Sequence, residues 1–488
     1  MSEIRGRCPL AGVVGLLVGC ASVEPGADYR QAGDLIRHRV GSGEVYDPQA
    51  DALVEDKVDA LLVDGLTIDE AVQVALLNNR GLQGAFLDIG VSRAEVVQSG
   101  LLANPTASFL AKLPEGGGRA HVEFELAQEL VDLWQIPVRK KIAEAQLEVT
   151  VLEVARQAIE LAADIRAACY RVVTLEQSEA TVRENLQLVE QSEDLARRRF
   201  EAGEASQLDV NLARSNTIDV RLELLQLERE RRLAEAALAR LLNLSEAGRQ
   251  PVLRDALPEI QAPADEDALL GLAMTQRLDA RAAEFRVRAA ENQVQQEWLK
   301  VFPSVSAGIA LERSERRALP GRNVLADTAR DSIAAGGLTA PTIESRAQRR
   351  AERRQEIDAI LGPSFSATLP IWDQNQAQIA KARYQAEQRR KEYEDLVDGI
   401  ANQVGQAATS LRSARQIVQF YRDEALPQSN QNLDGARRLY QAGEQGIIVV
   451  IEAQESLVAR RRAYVSALGE YAAAMAELER AIGGRLSE

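Results

Sequence analysis

Residues 196–213 read ARRRFEAGEASQLDVNLA, and residues 436–453 read ARRLYQAGEQGIIVVIEA. Phe200 falls on Tyr440, Gly203 on Gly443, Ser206 on Gly446 and Ala213 on Ala453, so one offset (440 minus 200, or 240) aligns the two stretches. The same offset still carries Leu238 onto Leu478. Each half of the chain thus holds a glycine flanked on both sides by long helical sequence, which reads as a point of chain reversal. Repeated units of this kind bury apolar surface by stacking on one another, within the chain and with further copies of it.

Composition supports the helical reading. The 488 residues contain only 4% aromatics and carry a net charge of −15, with long runs of Ala, Leu, Glu, Gln and Arg that suit long helices and coiled coils. The acidic balance argues against a nucleic-acid partner. Two histidines and three methionines leave little with which to hold a transition metal, so no metal site or cofactor is expected. The cysteines, Cys8, Cys20 and Cys169, form no disulfide framework. Cys169 lies alone in an amphipathic stretch and reads as a small buried hydrophobe. There is no phosphate-cradling glycine loop with Lys and Ser/Thr, no His-x-x-x-His and no nucleophile elbow. His38 and His121 read as surface residues, and the chain is not expected to be an enzyme.

The N-terminus reads as a targeting segment. Arg5 and Arg7 precede an apolar run from Pro9 to Val18 that is too short for a bilayer, which needs about 20 apolar residues. Residues 1–19 therefore read as a signal peptide. Leu17-Val18-Gly19-Cys20 resembles the bacterial lipobox, which implies that Cys20 is acylated and becomes the mature N-terminus, held by acyl chains. Ala21, where an aspartate would mark inner-membrane retention, implies an outer-membrane destination. The competing reading is a signal peptide cut elsewhere, with Cys20 incidental. No later stretch is long and apolar enough for a membrane-spanning helix, so any crossing is by barrel.

Residues 20–65 are polar and mixed and read as an extended, lipidated arm. Thr67-Ile68-Asp69-Glu70 has capping-box spacing ahead of an apolar helical face, and helix is expected to about residue 102, where Asn104-Pro105 breaks it. The period then changes. Val122-Glu123-Phe124-Glu125-Leu126 alternates strictly, as a strand with two unlike faces does. Strands at about 104–112 and 120–130, joined by a turn at Pro114–Gly118, make a hairpin. The second half repeats it, with strands at about 303–311 and 363–372. The intervening 312–362 reads as a solvated external loop with a polar helix over 346–360; a specific binding role is the alternative. Strands of this length, apolar on one face and small or polar on the other, suit a barrel between lipid and water.

A long helix follows each hairpin, from about Pro137 to Ala202 and from about Asp373 to Ala442, and a shorter one returns over 206–243 and 446–483. Pro137 suits a first helical turn, and Pro427 predicts a kink in the second long helix alone. The domain plan is a first repeat at 66–245 with its tip at Gly203, a linker at 246–265, and a second repeat at 266–488 with its tip at Gly443. The fold class is mainly α with a small membrane β-barrel contribution. Four strands cannot close a pore, so assembly of several copies into a tube follows.

Arg199-Phe200-Glu201-Ala202-Gly203 with Asp209, Tyr440-Gln441-Ala442-Gly443 with Glu452-Ala453, and Leu369-Pro370-Ile371-Trp372-Asp373-Gln374-Asn375-Gln376 resemble the TolC-like outer-membrane efflux channel family over roughly residues 66–485. The Asn375-Gln376 pair is similar to that of members working with heavy-metal exporters. The resemblance implies a homotrimer in outer-membrane lipid, reaching into the periplasm, and an export route completed by an inner-membrane pump and a periplasmic adaptor. It implies a periplasmic gate in which Asp209 bonds across to the second helix pair, with Tyr440 as a partner. Gln445 replaces the family's basic partner, and the family's pair of pore acids becomes Val449 and Glu452. Gly203 and Gly443 are expected at positive φ and close to an adaptor hairpin. Glu204 and Glu444 read either as solvated surface or as adaptor contacts, and Glu452 either as a carboxylate ring or as a solvated helix face. Metal cations are the favoured cargo; a drug or protein duct, or a lipid-anchored coiled-coil scaffold, are the alternatives.

Overall fold

The computed structural model describes residues 22–41, 43–113, 120–244, 251–260, 265–315, 332–336 and 357–486. The signal peptide, Cys20, the Pro114–Gly118 turn and most of the expected external loop lie outside them. The chain divides into two compact units, one of Met1–Val97, Ala143–Ala290 and Ala386–Glu488, the other of Gln98–Ile142 and Glu291–Gln385.

The second unit is built on a sheet of four antiparallel strands in the order β1-β2-β3-β4, with β1 at Thr106–Lys112, β2 at His121–Glu129, β3 at Ser304–Glu315 and β4 at Ile357–Thr368. Both strands of the second hairpin extend into the expected 312–362 loop. Residues 357–360, expected as the end of a polar helix, are strand. The strand expected at about 363–372 starts earlier and ends at Thr368, so Pro363 lies inside β4, opposite Ile309. A proline is tolerated there because β4 is an edge strand within the chain.

The register sorts the side chains into two faces. Phe109, Phe124, Leu126, Ile309, Leu311, Leu361 and Phe365 share one face and are all exposed. Ser108, Glu123, Glu125, Glu129, Ser306, Gly308, Glu312, Ser364, Ser366 and Thr368 share the other, with Leu110 and Ile360 as its large apolar exceptions. Gly308 is the close-packed point of the polar face, since a Cβ there would lie 2.4 Å from the Leu126 carbonyl oxygen.

The first unit is helical. Its main core joins α1 (Gly26–Val40), α2 (Val54–Leu62), α3 (Ile68–Asn78) and α4 (Arg80–Ser99) to α5 (Asp132–Glu201), α6 (Gln207–Leu241), α8 (Leu278–Leu299) and the last helix, α11 (Ile447–Ile482), with α7 (Glu266–Gln276) in a second cluster. Ile36, Phe86, Ile89, Leu152, Ile165 and Leu238 are fully enclosed. Thr67 caps α3 as expected: its hydroxyl oxygen accepts the Glu70 N–H at 3.2 Å, and Glu70 accepts the Thr67 N–H at 2.7 Å.

The arm after residue 21 is not extended. Residues 26–40 form α1, which buries Tyr29, Ala32, Ile36 and Val40. These positions recur at three and four residues, so they share one helical face, and Gly41 ends the helix at φ 74°. Asp28 accepts the Arg93 guanidinium, fastening α1 to α4.

The helices after the hairpins also depart from expectation. α5 begins at Asp132, before Pro137. Buried Asp132 accepts the Ala103 N–H at 2.5 Å and Arg139 at 3.2 Å, while Arg139 also donates to the carbonyls of Ser99 and Leu101. This anchor fixes the first turn earlier, and Pro137 forfeits one backbone bond inside the helix. The second long helix is interrupted. α9 (Gln376–Phe420) and α10 (Leu426–Gln441) are joined by a π-turn at Tyr421–Ala425, where the Leu426 N–H donates to the Tyr421 carbonyl. Pro427 has no N–H for the carbonyl four residues back, and the wider turn just before it takes up the mismatch. The counterpart of Pro427 in the first half is Gln187, and α5 runs through it unbroken.

Candidate functional site

The two helical reversals belong to the first unit. At the first, Gly203 N–H donates to the Phe200 carbonyl at 3.0 Å and Glu204 N–H to the Arg199 carbonyl at 2.8 Å. At the second, Gly443 N–H donates to Tyr440 and Glu444 N–H to Leu439, both at 3.0 Å. Gly203 has φ 78° and Gly443 φ 76°, the left-handed geometry that ends a helix with its last carbonyls satisfied. A Cβ at either glycine would meet nothing within 4 Å, so glycine is required by the backbone and not by a neighbour.

The gate residues are not gathered into one cluster. Asp209 does not cross to the second tip. Its Oδ2 accepts the Ser206 N–H and hydroxyl, both at 2.8 Å, and the Ser206 hydroxyl accepts the Asp209 N–H at 3.2 Å. This is a capping box that satisfies the first orphan donors of α6. The spacing Ser206-x-x-Asp209 is visible in the sequence and matches Thr67-x-x-Glu70.

Tyr440 is the residue that joins the two tips. It is 9% exposed, and the Arg199 guanidinium lies over its ring, 4.7 Å from the centroid. Arg199 also meets Glu204 at 3.6 Å. The Tyr440 oxygen first, and then Glu204, holds the Arg199 guanidinium above its ordinary pKa. The cation at the tips is thus Arg199, and it meets Tyr440 and Glu204 rather than Asp209. Its signal lay in the tip motif itself, one residue before Phe200. Glu452 is exposed on α11, and Val449 is half-buried against Tyr440, Ile447, Val450 and Ile451. Glu204 and Glu444 are both solvent-facing.

At the strand-to-helix junction of the second unit, Asn375 adopts φ 60°, an uncommon conformation for a residue other than glycine. Its amide donates to the Glu297 carbonyl and carboxylate, both at 2.8 Å. Asn375 thus ties the entry of α9 to the end of α8. Among the described residues no group of three or more His, Cys, Asp or Glu is placed to hold a metal ion. Burial pushes the Cys169 thiol up to about 12, which keeps it an inert core group.

A family model described as outer membrane efflux protein matches residues 71–244 and 269–484. The chain belongs to the outer membrane efflux protein family. Members of this family are channels and not enzymes. A curated relative is the cobalt-zinc-cadmium resistance protein CzcC of Cupriavidus metallidurans, 23% identical over 420 residues that cover 86% of this chain and 90% of the relative. Two solved channels share the fold. CusC superposes with a TM-score of 0.67 at 18% identity, covering 87% of this chain and 94% of CusC. The open-state MtrE channel of Neisseria gonorrhoeae gives 0.63 at 18% identity, covering 86% and 89%.

Proposed function

We propose that this chain is the outer-membrane duct of a tripartite export system. It works as a homotrimer that passes substrate from an inner-membrane pump and a periplasmic adaptor to the exterior. The observation that carries the proposal is the four-stranded sheet, apolar and exposed on one face and polar on the other. Such a sheet suits lipid on one side and water on the other. Leu369, Ile371 and Trp372 follow β4 as an exposed apolar group, with Trp372 90% exposed, and such residues favour the membrane–water boundary. In this reading Cys20 carries the acyl anchor, and Gly203, Gly443, Glu204 and Glu444 meet the adaptor.

Metal cations are the proposed cargo. The polar face of the sheet carries Glu123, Glu125, Glu129 and Glu312, and Glu452 is an exposed acid on α11. Rings of carboxylates around a symmetry axis favour cations. The relative CzcC, named for cobalt, zinc and cadmium resistance, agrees with that cargo. The test is conductance in planar bilayers under a salt gradient. A cation-selective reversal potential is expected, reduced toward zero by Glu452→Gln. Absence of any conductance would leave the lipid-anchored scaffold, and an unchanged potential in the variant would remove Glu452 from selection.

A further inference from the structure

The chain has two histidines, His38 and His121, and they stand in different surroundings. His38 is exposed on α1. His121 opens β2, where its ring reaches carboxylates on two strands. The imidazole Nε2 lies 2.5 Å from Glu123 Oε1 and 3.9 Å from Glu312 Oε1. Lys112 Nζ lies 3.7 Å from the same Glu123 oxygen.

The register explains why these four side chains meet. His121 and Glu123 are two residues apart on β2, so they share a face. Lys112 of β1 pairs with His121, and Glu312 of β3 pairs with Glu123. All four therefore stand on the polar face of the sheet. Glu125 is the next acid along that face of β2, while β4 is separated from β2 by β3 and does not adjoin the ring. The strands connect to helices through Thr106, Glu129, Ser304 and Thr368. The His121 cluster lies at the opposite end of the sheet, away from those connections.

Imidazole is the side chain whose charge ordinarily changes between about pH 5 and 8. Over the same range lysine stays cationic and glutamate anionic. With His121 neutral, one positive charge on Lys112 stands against two negative ones on Glu123 and Glu312, leaving one net negative charge in each chain. With His121 protonated, two positive charges stand against two negative ones and the cluster is neutral. The side chains of Glu123 and Glu312 are 43% and 48% exposed, so a passing ion meets that change directly. No rearrangement is needed, because the Nε2 position already faces Glu123 in hydrogen-bonding range.

We propose that His121 is a selectivity residue of the pore, whose proton sets the preference for cations at the end of the sheet remote from the helices. Around a symmetry axis each copy adds its own cluster, so the charge change is multiplied at one level of the pore. A ring with net negative charge draws cations, and a ring without it does not. The duct therefore favours cations when the medium at that end is neutral and loses the preference when the medium is acid. This rests on the channel reading, with the polar face of the sheet turned to the water-filled side, and adds to it a regulation by pH.

The test is the reversal potential of the full-length protein in planar bilayers under a potassium chloride gradient, read from about pH 8 down to about pH 5, the range in which imidazole titrates. The parent is expected to be cation-selective at the upper end and to move toward zero on acidification. His121→Gln is expected to hold its upper-end potential throughout. Glu312→Gln is expected to start nearer zero and still to shift with pH, because His121 is intact. A parent potential that does not move would overturn the proposal without recourse to any variant. A shift that survives in His121→Gln would assign the titration to another group, His38 included, and would overturn it too, as would loss of the shift in Glu312→Gln. In each of these cases conductance persists and the channel reading stands. Absence of conductance at every pH would overturn the channel reading and this proposal with it.

Discussion

The two helical tips have the same backbone and different means of holding it. Both reverse at a left-handed glycine, φ 78° at Gly203 and 76° at Gly443, with matching carbonyl bonds. The first tip is fixed by polar groups. Ser206 and Asp209 cap α6, while Phe200 is 41% exposed and Leu208 also faces solvent. The second tip has no cap, since Gly446 offers no side chain and Val449 stands where Asp209 would. It is held instead by a cluster of Leu433, Ala436, Tyr440, Ile447, Val450 and Ile451. One duplicated turn has thus been stabilised once by hydrogen bonds and once by burial. The Arg199–Tyr440 contact is where the polar tip leans on the apolar one.

The sharpest way to break this comparison is to truncate the matched aromatics. Tyr440→Ala empties a buried site and should cost the second tip about 3 kcal/mol, at the low end for large aromatic truncations. Phe200→Ala removes a ring that is already half in water and should cost well under half as much. Limited proteolysis with mass mapping of the cut sites separates the two. Cleavage is expected to concentrate near residue 443 in the first variant and to stay at wild-type levels near 203 in the second. Equal sensitivity would mean that the tips are held alike.

The glycines should not discriminate. Gly203→Ala and Gly443→Ala each force a Cβ into left-handed backbone, with nothing nearby to clash, so each should cost about 1–2 kcal/mol. Hydrogen exchange at the amides of residues 201–204 and 441–444 would read the two costs. A markedly larger effect at one glycine would show that its neighbours, and not φ, set the requirement.

Much of this was legible from the residues. The tips declared themselves through glycine spacing, and the strands through alternation over Val122–Leu126 and Val305–Leu311. What escaped was set by contacts distant in sequence. α1 buries four apolar residues, Tyr29, Ala32, Ile36 and Val40, set among polar ones, and nothing local reveals that Phe86 and Ile89 lie ready to cover them. Arg199 reaches Tyr440 across most of the second half of the chain. Pro427 announced a disturbance, but a proline does not specify whether the helix bends or widens into a π-turn. Asp209 is the instructive case. Its capping spacing could be read locally, and a resemblance to other channels directed attention to a bond across the tips.

The capping box offers a finer test of the same contrast. Ser206→Ala should weaken the first tip by about 1 kcal/mol, the usual cost of a lost N-cap. Gly446→Ser at the second tip should gain only a few tenths, because glycine is a tolerable cap and Val449 cannot close the box. Exchange at the first-turn amides of α6 and α11 would register both. A gain at residue 446 as large as the loss at 206 would show that the apolar cluster leaves the second tip as dependent on caps as the first.

The smallest effect concerns pH. α3 carries the same device as the first tip, and there the Thr67 backbone N–H holds the Glu70 carboxyl below its ordinary 4.5, with burial opposing and the Thr67 hydroxyl and Arg254 assisting. A depressed folded pKa means that the box contributes fully above 4.5 and is lost as the pH falls through the folded value. Thermal unfolding of the detergent-solubilised protein should therefore show Glu70→Gln less stable than the parent near neutrality, with the gap closing on acidification below that point. A gap that stayed constant through the acid range would show that Glu70 acts through the shape of its side chain and not through its charge. Capping would then be a weaker distinction between the polar and apolar tips than their geometry suggests.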